Sequence, residues 1–150
     1  MKIHVGNAHD IASIMPVMDS AFDPAFGEAW TAAQCLSTLS LCGAQLLLAK
    51  KDNAVTGFAL SRWVGDEEEL LLIGVLPTNR RNRVGQLLID TLLQKSSDAN
   101  RKVVFLEVRH GNTAEHFYRS IGFRSIGRRP SYYRSKDGQY CDAITMALNF

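Results

Sequence analysis

Between residues 45 and 95 the rhythm of apolar residues changes once, and that change limits the folds open to the chain. Residues 45–49, 55–64 and 69–75 read as three short strands, separated by the polar turn Lys51-Asp52-Asn53 and by Gly65-Asp66. Connections this short force antiparallel pairing, since a parallel pair needs a crossover of a dozen or more residues. After Pro77 the period becomes helical: Val84, Leu87, Leu88, Thr91, Leu92 and Lys95 fall three and four apart, with Gln86, Asp90 and Gln94 on the other side. A block of strands followed by a helix argues against a doubly wound parallel sheet, in which strands and helices alternate throughout.

The flanking segments complete the order. Residues 3–5 read as an opening strand, and 9–21 as a helix with Ile11, Ile14, Met15 and Met18 at helical spacing and Pro16 marking a kink or break. Residues 22–30, with Pro24 and Gly27, read as loop, and 28–41 as a helix stopped at Gly43. Residues 103–108 read as a strand and 113–121 as a short helix closed by Gly122. Residues 123–127 and 142–148 are the last two strands, joined by a long connection turning at Asp137-Gly138. The fold class is therefore mixed α/β with a largely antiparallel sheet.

A length of 150 residues suits one domain spanning 1–150, with no repeat or linker composition to divide it. No apolar run reaches the ~18 to 20 residues that span a bilayer, and the opening residues lack the basic and apolar regions of a signal peptide. The expected location is the cytoplasm, with no membrane partner. A net charge of +2 is too mild to mark a nucleic-acid binder. His4, His9, His110 and His116 are scattered and imply no metal. Cys35, Cys42 and Cys141 have no metal-ligand spacing, and Cys35 and Cys42, seven apart, read as buried filler on a helix.

Charge is concentrated in one place that matters. A strand ending at Val75 leads through Arg80, Arg81 and Arg83 into a helix starting near Arg83 or Val84. Unsatisfied N–H groups and partial positive charge at a helix N-terminus, ringed by guanidinium groups, suit an anion such as a pyrophosphate.

The run Ile73-Gly74-Val75-Leu76-Pro77-Thr78-Asn79-Arg80-Arg81-Asn82-Arg83-Val84-Gly85-Gln86-Leu87-Leu88 resembles motif A of the GNAT superfamily of acetyl-CoA-dependent acetyltransferases. That motif reads Arg or Gln, two residues, Gly, one residue, Gly or Ala. Arg80 matches its first position and Gly85 its last, while Arg83 replaces the middle glycine and brings a Cβ to a place of close backbone approach. Leu106-Glu107-Val108-Arg109, Asn112, Phe117-Tyr118-Arg119-Ser120-Ile121-Gly122-Phe123, Tyr132-Tyr133, Asp137-Gly138 and residues 142–148 are similar to the RimI-like ribosomal-protein alanine N-acetyltransferases of bacteria, a group within GNAT. The likeness is dense from about residue 70 to 148 and thin before it, where Trp30 is the landmark.

The resemblance implies a GNAT fold: a mostly antiparallel seven-stranded sheet, about four helices, and a splayed parallel strand pair at the CoA site. It implies acetyl-CoA as co-substrate, without a metal, held by Ile73, Gly74, Val75, Arg80, Arg81, Asn82, Arg83, Val84, Gly85, Gln86, Asn112 and Tyr118. The implied acceptor is a protein N-terminus, the N-terminal alanine of a small-subunit ribosomal protein, in a pocket among residues 22–30, Tyr132-Tyr133 and the strand ends beside Glu107. Trp30, Glu69, Tyr132 and Tyr133 are its candidate contacts. Glu107 matches the family's proton acceptor and Tyr118 its general acid; Glu69 is a second candidate base.

The same residues have plainer roles. Glu107 suits a strand-end pair with Arg109 or Arg101, and Glu67-Glu68-Glu69 an acidic turn. Tyr118, Trp30, Tyr132 and Tyr133 suit core packing, and Asn112 the cap of a helix starting at Thr113. Other classes open to such a chain are an acetyltransferase of small amines or of protein lysines, and a non-catalytic module that binds acyl-CoA or contacts RNA.

Overall fold

Along Glu67–Val75 buried side chains alternate with partly exposed ones, the period of a half-covered strand. The computed structural model describes residues 1–150. Its strands are β1 (Lys2–Gly6), β2 (Ala44–Lys51), β3 (Ala54–Val64), β4 (Glu67–Val75), β5 (Val103–Arg109), β6 (Arg124–Arg134) and β7 (Tyr140–Asn149). The α-helices are α1 (Ile11–Ala21), α2 (Ala32–Leu39), α3 (Val84–Asp98) and α4 (Ala114–Ile121), with 3-10 turns at Ala8–Asp10, Pro24–Phe26 and Pro77–Asn82. The strands form one seven-stranded sheet in the order β1-β2-β3-β4-β5-β7-β6. All neighbours are antiparallel except β4 and β5.

That parallel pair is short. Only Glu67, Glu68 and Glu69 of β4 face Val103, Val104 and Phe105 of β5. On its other edge β4 carries a bulge: Leu60 of β3 stands opposite Leu72 and Ser61 opposite Leu70, which leaves Leu71 as the extra residue. A bulge bends its strand and increases the local twist. Here it also changes which face each residue serves. Leu70 lies in the core under α3 and α4, with Leu88, Leu92 and Leu106, whereas Leu71 and Leu72 belong to the core under α1 and α2, with Ile14, Met18 and Phe58. Beyond Glu69 the strand thus leaves β5, which stays paired to β7 as far as Arg109 and Ala143.

Gly57 of β3 lets α3 approach closely, since a Cβ there would stand 2.9 Å from Val84 Cγ1. Arg83, just before the helix, has φ 57° and ψ 29°, the left-handed conformation that glycine adopts most readily. The arginine at the motif's middle position therefore holds a backbone conformation that glycine fills most readily.

Several boundaries differ from the sequence reading. Helix α2 starts at Ala32 rather than 28 because Thr31 caps it: Thr31 Oγ1 accepts from the Gln34 N–H at 3.1 Å, and Gln34 Oε1 accepts from the Thr31 N–H at 2.8 Å. Cys35 is buried as expected, but Cys42 is exposed beyond the helix end. Helix α1 continues through Pro16, with Ile11, Ile14, Val17 and Met18 buried along one face. Strand β6 runs on to Arg134, so Tyr132 and Tyr133 lie on a strand; its two register shifts and almost complete exposure erase the alternation that would reveal it.

Glu67-Glu68-Glu69 is strand rather than turn, and Glu68 is only 2% exposed. Its Oε2 accepts from Ser61 Oγ at 2.7 Å and its Oε1 from Ser96 Oγ of α3 at 2.8 Å. Arg101 Nε stands 3.6 Å from the same carboxylate, with its guanidinium 4.6 Å from the Trp63 ring centroid. Removing one member of such a buried pair strands the other, so Glu68→Ala is expected to lose about 3 to 5 kcal/mol in urea unfolding. Arg83→Gly is expected to gain about 1 kcal/mol in the same measurement, by relieving the left-handed backbone.

Candidate functional site

The splay opens a groove of about 1140 Å³ between β4 and β5, lined along residues 69–75 and 106–109. The segment between α1 and α2 forms one wall, with Phe22, Asp23, Gly27, Glu28 and Trp30, while Tyr132 and Tyr133 of β6 form another. The two ends of this groove differ in charge.

At the first end lie Ile73, Gly74, Val75, Arg80, Arg83, Gly85 and Gln86. Arg80 Nη2 donates to the Ala21 carbonyl at 2.8 Å and so fastens the loop to the end of α1. Arg81 and Asn82 do not line the groove, and Val84 is fully buried in the core beneath α3. Asn112 lines the groove and caps α4, its Oδ1 accepting from the Ala114 N–H at 3.0 Å.

At the second end three carboxylates converge. Glu107 pairs with Arg129 of β6 at 3.1 Å, and not with Arg109 or Arg101. Both of those cations are engaged elsewhere: Arg101 at Glu68, and Arg109 with Glu28 at 3.2 Å, its guanidinium 3.6 Å from the Phe26 ring centroid. Glu69 has no ion pair within 4 Å. Burial, and then the negative charge of Glu107, push its carboxyl above the usual range, against the opposing pull of Arg129.

Two phenols face these carboxylates. Tyr118 of α4 is 6% exposed, packs edge-on against Phe123, and is held protonated by burial and by the charge of Glu28. Tyr133 is pushed up to about 12 by burial, Glu28, Glu107 and Tyr132, with Arg109 opposing. The groove thus holds an ionisable acceptor for a proton and a buried phenolic donor. Every residue named for the acceptor pocket, Trp30, Glu69, Tyr132 and Tyr133, lines it, although Trp30 also packs against the core under α1 and α2. Glu28, Phe26, Arg109 and Arg129 were not legible as one cluster, because residues up to 103 positions apart in sequence meet here. No group of three or more His, Cys, Asp or Glu is placed to hold a metal ion, and no helix is long and apolar enough to cross a membrane.

Comparison with known proteins agrees with this geometry. Residues 24–139 match the family model of the acetyltransferase (GNAT) domain. The ribosomal protein bS18-alanine N-acetyltransferase of Haemophilus influenzae is 34% identical over 97 residues, which cover 65% of this chain and 66% of that protein, just under two thirds of its length. The crystal structure of the ribosomal-protein-S18-alanine N-acetyltransferase of Escherichia coli superposes with a TM-score of 0.89 at 28% identity, covering 99% of this chain and 92% of that one. The same fold is found in a putative acetyltransferase of Salmonella typhimurium solved with its cofactor acetyl-CoA, at TM-score 0.80 and 20% identity, covering 99% and 93%. With a seven-stranded sheet split at its parallel pair and a family match over most of its length, the chain belongs to the GNAT acetyltransferase family.

Proposed function

We propose that this chain is an acetyl-CoA-dependent N-acetyltransferase whose acceptor is the N-terminal alanine of a small-subunit ribosomal protein. The observation that carries the reading is the placement of Glu107 and Tyr118 on the lining of one groove, with a basic loop at its other end. The named activity of the bS18-alanine acetyltransferases, similar in sequence and in fold, supports the choice of acceptor.

Arg80, Arg83 and the first turn of α3 suit the phosphates of the co-substrate, which supplies the activated thioester carbonyl. The amine must attack in its neutral form. A peptide N-terminus, with pKa about 8, is about a tenth deprotonated at pH 7, whereas a lysine near 10.4 is almost wholly charged. A carboxylate suffices as base for such an amine. Glu107 takes the proton as the C–N bond forms, directly or through a water, and Glu69 on the neighbouring strand is the second acidic group within its field. As the C–S bond breaks, the Tyr118 hydroxyl donates its proton to the departing sulfur. Burial and the charge of Glu28 keep the phenol protonated until then and also make it a weaker acid, so the transfer must accompany the build-up of charge on sulfur as its bond to carbon breaks.

Release of free thiol from acetyl-CoA, measured with a peptide beginning in alanine, tests the assignment. Glu107→Gln and Tyr118→Phe are each expected to lower kcat by about 10²- to 10⁴-fold, with the KM for acetyl-CoA little changed. Wild-type turnover in either variant removes that residue from the mechanism. Arg129 lowers the affinity of Glu69 for protons, so deleting its charge must raise it. If Glu69 governs the acid limb of kcat/KM, Arg129→Met moves that limb to higher pH; with one peptide used for both enzymes, the amine's own titration cancels. A limb that stays in place would show that Glu69 and Arg129 do not share the titration that governs activity.

A further inference from the structure

We propose that Glu28 is a specificity-determining residue, the carboxylate that receives the protonated amine of the acceptor before Glu107 takes its proton. This rests on the acetyltransferase reading above and adds to it a residue from the wall of the groove.

Glu28 reaches the groove because the chain is shaped to bring it there. Asp23 caps the Pro24–Phe26 turn, its Oδ1 accepting from the Ala25 N–H at 2.9 Å, and Gly27 follows with φ 60°. The segment is then held from two sides. The Lys136 N–H donates to the Ala25 carbonyl at 2.9 Å, which ties it to the turn between β6 and β7. From β5, Arg109 lies over the Phe26 ring and bonds Glu28 Oε1 at 3.2 Å. Phe26, Arg109 and Glu28 form a clasp, and a carboxylate held in this way lies ready for a ligand with little ordering left to do.

Charge explains what the clasp is for. The acceptor end carries Glu28, Glu69 and Glu107 against Arg109 and Arg129, each of these arginines being paired to one carboxylate. One negative charge is left over, that of Glu69, and Glu28 keeps a free oxygen, since its Oε2 accepts no hydrogen bond from the protein. Tyr133 lies within the fields of both Glu28 and Glu107, so the space beside it is flanked by carboxylates of the α1–α2 segment and of β5. A monocation placed there completes the balance. The acceptor is a monocation at its amine on arrival and has lost that charge once acetylated. A carboxylate that recognises the charge therefore grips the reactant and releases the product.

Of the segment between α1 and α2, Asp23 and Glu28 are the charged residues that line the groove. Phe26 sets the arginine, the arginine sets the glutamate, and the glutamate meets the substrate.

The test compares wild type with Glu28→Gln in steady-state kinetics on a peptide beginning in alanine. The same peptide with propionyl in place of alanyl, which lacks the amine, serves as a competitive inhibitor. Loss of one charge-assisted contact is expected to raise the KM for the amine peptide by about tenfold or more. The KM for acetyl-CoA and the inhibition constant of the amine-free peptide should stay within about twofold, and Glu28→Asp should recover part of the loss. An unchanged KM overturns the assignment. So does a parallel rise in the inhibition constant of the amine-free peptide, since that marks a general defect of the pocket. If the wild type acetylates a small amine instead of peptides, the ribosomal acceptor is wrong and the KM comparison on that amine decides Glu28 in the same way. If it transfers to no amine, the enzymatic reading fails and Glu28's role fails with it.

Discussion

Strands β4 and β5 hold together through three facing residue pairs and then part, and the rest of the molecule is arranged around that separation. A sheet covered on both faces normally keeps its two layers of side chains apart, because backbone hydrogen bonds leave no passage between strands. Here the bulge at Leu71 turns β4 away while β7 keeps β5 in place. The edge of β4 past Glu69 is left without a strand partner, and its peptide groups need other partners. The opening also lets the two faces of the sheet communicate. Glu107 and Arg109 alternate along β5 with Val104, Leu106 and Val108, which serve the core beneath α3 and α4. Tyr118 and the start of α3 belong to that second face. Two reactants approaching from opposite sides can therefore meet in the gap without either crossing a closed sheet.

Charge follows the same division. Arg80 and Arg83 line one end of the groove, and Glu28, Glu69 and Glu107 the other. Keeping opposite charges at opposite ends of one groove draws each reactant to its own half and discourages the reverse placement. The ion pairs at the acidic end limit the repulsion among its carboxylates without abolishing it: Glu69, the one left unpaired, is also the one whose proton affinity rises. Tyr118 lies in a drier setting that keeps its phenol protonated.

Much of this was legible in the order of residues, for identifiable reasons. The three consecutive strands and α3 announce themselves because alternation and helical spacing are strong where a segment is half covered, as along 67–75 and 84–98. The loop from Val75 to Gly85 and the residues Glu107, Asn112 and Tyr118 were recognisable as a family pattern, and all but Arg81, Asn82 and Val84 of the implied set line the groove. Strand β6 was cut short because an exposed edge strand with bulges has no burial period to display. The partners of Glu107 and Arg109 were misjudged for a different reason. Sequence proximity favours Arg109 for Glu107, but Phe26 and Glu28 hold Arg109, and Arg129 reaches Glu107 from β6, beyond the intervening β7. Long-range pairing of this kind leaves no local signature. Nor did Glu68, which looks in sequence like one of three solvated acids and is instead buried with two serines and an arginine.

Glu68 and Glu69 show why a buried ionic group has a place in this fold. They are adjacent on β4 and project to opposite faces, one into the contact with α3 and the other into the groove. An apolar residue of similar size at 68, with its partners replaced to match, would be as stable or more so, because taking charges out of water is costly. It would not specify where along α3 the strand must lie. The two serine hydroxyls donate to this carboxylate and Arg101 stands beside it, which ties β4 to β3 and α3 where the three-residue parallel pairing lies. Since the pairing ends at Glu69, the register chosen by Glu68 also decides how Glu69 faces Glu107 across the opening. The geometry of the site is thus anchored from the opposite side of its own strand, by a carboxylate outside the groove.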